Sequence, residues 1–324
     1  MSKRVRGLVQ ITISAVLLAL VLRQVPWQEA RAALASFQPG WLVLAWGLYL
    51  AGVVIRAGRW QTLLDALDLH RPLAELTNWY FVGSFFNVVL PTGFGGDAVR
   101  VAELAQDTSR PGPVLNSVVV DRYLGLMVLL AMGLLGAAAS PGTASSLVLA
   151  AIAILFGAGL AMAWGLRRPW WEQWGARTDF SGTIVHALRL PALSAAVAPY
   201  DGRTLGRALI ISLIFNVLQI GWNVAIALGL GLHLPLVTYL VFVPLTAVAL
   251  LLPAFGGLGV RELTYVGLFG QVGVPQATAL ALSLGVYFIT VATGLVGAVL
   301  YLSGGIRRAR SGKQHTSKAL ESQD

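Results

Sequence analysis

Long uninterrupted apolar runs limit this chain more than any other feature. They lie at residues 7–22, 40–56, 113–139, 145–166, 206–231 and 276–303. A membrane-crossing helix needs about 20 mostly apolar residues, so each run is a candidate span. Charged residues make up 11% of the 324 positions, against about 25% in a soluble domain, so the polar surface of a soluble enzyme is missing. There is no Cys, which removes a disulfide framework, thiolate zinc and a catalytic thiol. An all-α polytopic membrane protein remains. Lys3, Arg4 and Arg6 precede the first run in the manner of a signal peptide, but the small-residue site at Ala33-Leu34-Ala35 lies too far beyond it. The first run is therefore expected to persist as a signal anchor.

Two more apolar stretches, 73–105 and 236–270, are broken in the middle. The first contains Pro91-Thr92-Gly93-Phe94-Gly95-Gly96 and the second Pro253-Ala254-Phe255-Gly256-Gly257. Proline and clustered glycine disrupt a helix. Such a break survives at membrane depth only where protein or a wet cavity satisfies the freed backbone groups. The chain also matches itself. Leu67–Leu73 resembles Leu230–Leu236, Phe94–Arg100 resembles Phe255–Arg261, and Gly133–Ala137 resembles Gly294–Ala298, at offsets of 163, 161 and 161 residues. These matches suggest a duplication with units at 41–139 and 204–300. Placing the N-terminus in the cytoplasm and treating each broken stretch as a re-entrant hairpin puts nearly all 23 basic residues inside. Arg23 and Arg31 alone fall outside, and Arg122 and Arg261 fall within apolar segments, which obeys the positive-inside rule. The expected architecture is about six full spans plus two broken re-entrant hairpins in an inverted-topology repeat, a plan seen in secondary transporters. It forms one membrane domain over 1–303, with a linking span and cytoplasmic loop at 140–203. A disordered basic tail is expected at 304–324, with both termini cytoplasmic.

Charges within a bilayer are functional candidates by default. Here they are Asp97, Arg100, Asp121, Arg122, Arg261 and Glu262. A helix restarting after Gly96 would present free N–H groups and the positive end of its dipole. Gly95, Gly96, Gly256 and Gly257 would admit a ligand close to the backbone, and the arginines suit phosphate. One reading is a net cationic cavity for an anionic head group. The other is that the charges neutralise each other and lock the two hairpins together. The two are compatible. Asn87, one turn before Pro91, would donate to freed carbonyls or to a ligand. Asn216, Gln219 and Asn223 recur at helical spacing and are read mainly as interhelical hydrogen-bonding groups. Arg56, Arg59 and Trp60 read mainly as a helix-end anchor, with the gathering of anionic lipid as the second reading, and Glu75 as a solvated interfacial residue. Trp170, Trp171 and Trp174 mark a cytoplasmic interfacial segment, with a similar outer one around Trp27, Ala30, Leu34 and Phe37.

Phosphate-loop, dinucleotide, zinc-protease and serine-hydrolase motifs are all missing from the sequence, and His70, His186, His233 and His315 suggest no metal site. No cofactor and no nucleic acid are expected. The motifs resemble the flippase-like family named for the transmembrane region of lysylphosphatidylglycerol synthase. The residues that carry the resemblance are Arg59-Trp60, Asn87, Pro91, Gly95-Gly96-Asp97-Ala98-Val99-Arg100, Val118-Val119-Val120-Asp121-Arg122 and Gly256-Gly257-Leu258-Gly259-Val260-Arg261-Glu262. They cover about residues 10–303. The family usually has Glu-Arg where this chain has Asp121-Arg122. The resemblance implies a bacterial or archaeal cytoplasmic-membrane protein that moves a polar or phosphate-bearing lipid between leaflets and is not itself an enzyme. The fused synthases add a soluble aminoacyl-transfer domain; this chain ends in a basic tail and is expected not to aminoacylate lipid. Its partners would be membrane lipids with anionic or phosphate head groups, a second copy of the chain, or a separate lipid-synthesising enzyme. Two alternatives stay open: an integral-membrane glycosyltransferase using a lipid-phosphate donor, and a non-catalytic accessory subunit.

Overall fold

Proline stands at the start of several helices. A proline has no N–H to lose at the first helical turn, and its φ suits that position. Pro39 and Pro111 open α1 (Pro39–Asp65) and α4 (Pro111–Ala139). Pro72 and Pro235 stand just before α2 (Leu73–Val89) and α8 (Leu236–Ala249). The remaining helices are α3 (Gly95–Thr108), α5 (Ser146–Arg167), α6 (Leu190–Val197), α7 (Gly202–Gly229), α9 (Val260–Gly270) and α10 (Gln276–Glu321). The structure is a computed structural model that describes residues 37–90, 94–142, 145–168, 190–251 and 257–321, with Gln28 and Ala35. No strand occurs among the described residues.

Five helices are long and apolar enough to cross a membrane: α1, α4, α5, α7 and residues 276–303 of α10. They coincide with five of the expected spans. The expected first span, 7–22, lies outside the described residues, as do the tryptophans at 27, 170, 171 and 174. Large apolar side chains such as Leu147, Ile154, Leu135 and Val299 remain exposed, as they do on helices solvated by lipid tails. Two boundaries differ from the sequence expectation. The span expected at 40–56 runs on to Asp65, so Arg56, Arg59 and Trp60 lie within α1 rather than beyond it. The other is the C-terminal end of α10, which is assigned as helix to Glu321.

Both broken stretches form helical hairpins. At the base of the first, Arg71 pairs with Asp107 at 3.5 Å and Arg110 donates to Leu67 O at 3.2 Å. The end of α3 thus returns to the level where α2 began. At the base of the second, the Phe269 ring meets the rings of Tyr239 and Phe242 at 5.8 and 5.3 Å. The two stretches expected to be repeat units, 41–139 and 204–300, are not separate bodies. Their first helices, α1 and α7, pack together antiparallel: Phe37 and Trp41 meet Gly229, Leu48 meets Gly221, and Arg59 meets Ser212. The hairpins are exchanged. Helix α2 packs on α10 of the other unit, and α8 packs on α4. Glycine permits both contacts. A Cβ on Gly297 would overlap the Phe81 carbonyl, and one on Gly136 would lie 2.7 Å from Leu240 Cβ.

Candidate functional site

The first hairpin turns on a glycine crossing. A Cβ on Gly96 would sit 2.5 Å from Gly83 O, and one on Gly95 would sit 2.7 Å from Phe86 O. Only hydrogen fits at either position. Asn87 Oδ1 accepts from Gly96 N at 2.7 Å, which satisfies one of the N–H groups that a helix start leaves unpaired. Asn87 therefore serves the restarting helix through its oxygen, rather than donating to carbonyls freed upstream. This geometry places Asp97 in the first turn of α3.

Asp97 is the hub of the charge network. Arg100, one turn along α3, donates to Oδ1, and Arg122 of α4 pairs with Oδ2. Arg100 is 4% exposed and lies over the Tyr80 and Trp60 rings at 3.9 and 4.9 Å. Desolvated cation–π contacts contribute about 2 kcal/mol, so packing as well as charge fixes this guanidinium. Arg122 differs: its side chain is 38% exposed, and it crosses the Phe94 ring at 4.8 Å.

Asp121 is occupied on both sides. Oδ1 accepts from Arg59 Nε at 2.6 Å, and Oδ2 accepts from the Tyr80 hydroxyl at 3.0 Å. Arg59 also donates to Ser212 Oγ on α7 at 3.0 Å. This pair is buried, with side chains 4% and 3% exposed. Sequence reasoning took Arg59 for a helix-end anchor; it is a central buried cation. An available signal was that Arg56, Arg59 and Trp60 stand before Asp65 with no glycine-proline break between.

The second hairpin contributes less charge to the same space. Gly257 and Gly259 have φ of 78° and 82°, a region that favours glycine. They lead into α9, where Arg261 lies over the Tyr287 ring at 5.1 Å. Glu262 does not face the cavity. It is fully buried, with Oε2 accepting from Gly259 N at 2.6 Å and Oε1 from Ser283 Oγ at 3.3 Å. It caps the start of α9 and fastens it to α10. Gly256 lies outside the described residues.

A cavity of about 660 Å³ joins these parts. Asn87, Gly96, Asp97, Arg100, Asp121, Arg122, Gly257 and Arg261 line it, so both breaks open on one space. Gly95 lies behind the wall, packed against Phe86 and Leu90. Arg56 also lines the cavity, over the Tyr80 and Phe215 rings at 5.4 and 5.1 Å. Helix α7 lines it too, with Asn216, Gln219 and Asn223. Asn216 donates to Gly125 O at 3.1 Å, and Asn223 Oδ1 accepts from the Tyr265 hydroxyl, so both make interhelical bonds while facing the cavity. Five arginines and two aspartates line the space, an excess of three positive charges among the described residues. No group of His, Asp and Glu suited to a metal occurs among them.

A family model described as Lysylphosphatidylglycerol synthase TM region matches residues 7–297. No curated protein and no solved structure matches the chain.

Proposed function

The chain belongs to the lysylphosphatidylglycerol synthase TM region family, a multi-pass membrane family, and from that premise we propose that it moves a phosphate-bearing lipid between leaflets. The observation that carries this reading is the single cavity at the tips of both hairpins, with its excess of three arginines. Uncompensated charge is costly in a low-dielectric space. A lipid phosphate would relieve that cost while its acyl chains stay among the exposed apolar helix faces. Arg122 is the group best placed to receive it, because its side chain is the exposed member of the Asp97 network. The phosphate would replace Asp97 on Arg122, leaving Asp97 paired with Arg100.

Alternating access fits the architecture. Antiparallel α1 and α7, with hairpins exchanged between units, support an inverted-topology repeat. The closed base of each hairpin supports a re-entrant segment that does not cross. Repeats of this kind carry a substrate site near the midplane and rock around it. We place the protein in the cytoplasmic membrane with its basic loops inside. Sugar transfer is less well served, since a general base needs an available carboxylate and both aspartates here are held by arginine.

The test is a leaflet-specific assay of fluorescent phospholipid in proteoliposomes. Arg122→Ala and Arg261→Ala should each slow translocation at least about tenfold, the loss of roughly one charge-assisted bond to phosphate. Asp97→Asn should alter the rate without abolishing lipid binding. Rates equal to the unmodified protein in all three variants would remove the site assignment.

A further inference from the structure

We infer that Arg56 is a second phosphate-binding residue of the cavity, one that receives the oxyanion without an ion pair to break first. Arg59, Arg100 and Arg122 line the same space, and each is paired with an aspartate. Arg56 makes no ion pair and no hydrogen bond among the described residues, and its buried Nε has no partner. Its contacts are two rings, Tyr80 of α2 and Phe215 of α7, at 5.4 and 5.1 Å. A ring face attracts the cation without satisfying the N–H donors around the edge of the guanidinium.

Its place in the fold makes that unused capacity matter. Arg56 lies within α1, a helix long and apolar enough to cross a membrane. A cation there carries a cost that a counter-charge and hydrogen bonds normally offset. Arg59, one turn along the same helix, has that offset in Asp121 and Ser212; Arg56 has only the rings. The rings also hold it in place. Tyr80 is fixed by its hydroxyl bond to Asp121 at 3.0 Å, and Phe215 packs on Trp222 at 5.9 Å. A guanidinium already held loses less freedom on binding, and its parallel N–H groups fit two phosphate oxygens.

Gln219 extends the site. It stands one turn from Phe215 on α7, lines the cavity half-buried, and its side-chain amide has no hydrogen-bond partner among the described residues. An amide donates to a phosphate oxygen or to the group that the phosphate carries. The α1–α7 side of the cavity thus holds a cation and an amide that no protein group uses, whereas Arg122 must give up Asp97 to take a phosphate. A phosphate received at Arg122 has Arg56 as a second station, where no carboxylate competes. Only the lipid source of that phosphate rests on the translocase reading; the site itself needs a phosphate, lipid-borne or free.

The experiment uses the full chain in dodecyl maltoside, a phosphate-free detergent, and in proteoliposomes. Its probes are fluorescent phosphatidylglycerol, the matching diacylglycerol without phosphate, and inorganic phosphate as competitor. Arg56→Gln should weaken phosphatidylglycerol about tenfold, the loss of roughly one charge-assisted bond, and leave diacylglycerol unchanged. Arg56→Lys, which keeps the charge but not the fork, should fall between, and Gln219→Leu should weaken phosphatidylglycerol several-fold. Competition by inorganic phosphate that is lost in Arg56→Gln supports a site open to the free anion; competition by unlabelled phosphatidylglycerol alone supports a lipid site. Phosphatidylglycerol bound by folded Arg56→Gln as tightly as by the unmodified protein overturns the inference. So does an equal loss of phosphatidylglycerol and diacylglycerol, which would make Arg56 a packing residue. If Arg56→Gln does not fold, unchanged phosphatidylglycerol binding in both Arg56→Lys and Gln219→Leu overturns it instead. Arg56-dependent binding without translocation in proteoliposomes leaves the site intact and overturns the translocase reading. Translocation at the unmodified rate by Arg56→Gln, with unchanged binding, does the reverse.

Discussion

At the scale of single residues, the Arg59–Asp121 pair divides structure from function within the charge network. Its members are buried, geometrically satisfied and bonded to three helices, α1, α4 and α7. Removing one member of such a pair costs about 3–5 kcal/mol, because the survivor is left as an uncompensated charge, whereas replacing both by apolar groups is often close to neutral. Asp121→Leu alone should therefore lower stability in a detergent-unfolding titration by about that amount. Arg59→Met with Asp121→Leu should recover most of the loss. Asp97 and Arg100 were legible in the sequence because a glycine pair before them fixed where a helix had to restart. Arg59 was not, because a charge after an apolar run looks the same whether the helix ends there or buries it. Glu262 misled for a related reason. The spacing from Gly259 to Glu262 suits a carboxylate that satisfies its own helix start, and only coordinates show that the bond is made.

Helices and hairpins depend on backbone fit. The α2–α3 hairpin closes through Gly83 and Gly96, where backbone touches backbone. Gly96→Ala places a methyl 2.5 Å from Gly83 O and 2.8 Å from Asn87 Nδ2. It should destabilise the protein by about 1–3 kcal/mol through overpacking and displace Asp97 from Arg122. Gly83→Ala, with its nearest approach at 3.1 Å, should cost less; thermal unfolding of the two variants checks the order. At the start of α7, Asp201 accepts from Thr204 N at 2.7 Å, and this bond with Thr204 holds the carboxyl below its ordinary value. A lowered folded-state pKa gives stabilisation that is present above the unfolded value and lost as pH falls through the folded one. Exchange of the Thr204 amide should accordingly quicken only in acid, and Asp201→Ala should show the fast rate at neutral pH as well. That a helix ends and another begins within each stretch was legible from proline and glycine alone. Their closed bases were not, since Arg71–Asp107 joins residues whose partnership no local pattern announces.

For the whole molecule, the absence of Cys makes topology directly measurable. If α1 and α7 run antiparallel as equivalent helices, the segments following them lie at opposite faces. Single cysteines at His70→Cys and His233→Cys should then react with an impermeant thiol reagent from opposite sides of a sealed vesicle. Labelling from one side would refute the inverted arrangement. The self-matches in the sequence had suggested two units, and the five described spans lie where apolar runs placed them. The exchange of hairpins between units was invisible in the sequence, because periodicity describes one helix at a time and says nothing of which neighbour it meets.

That exchange bears on how the protein is made. Helix α2 rests on α10, with the Phe81 backbone against Gly297, and more than half the chain separates the two contact points. At ribosomal speeds of roughly 5–20 residues per second, the first hairpin waits on the order of ten seconds or more for its partner. Throughout that interval the α2 face around Phe81 has only lipid, the insertion machinery or a chaperone beside it. Premature release of the nascent chain before α10 emerges would thus leave that backbone face uncovered, a natural target for quality-control proteolysis.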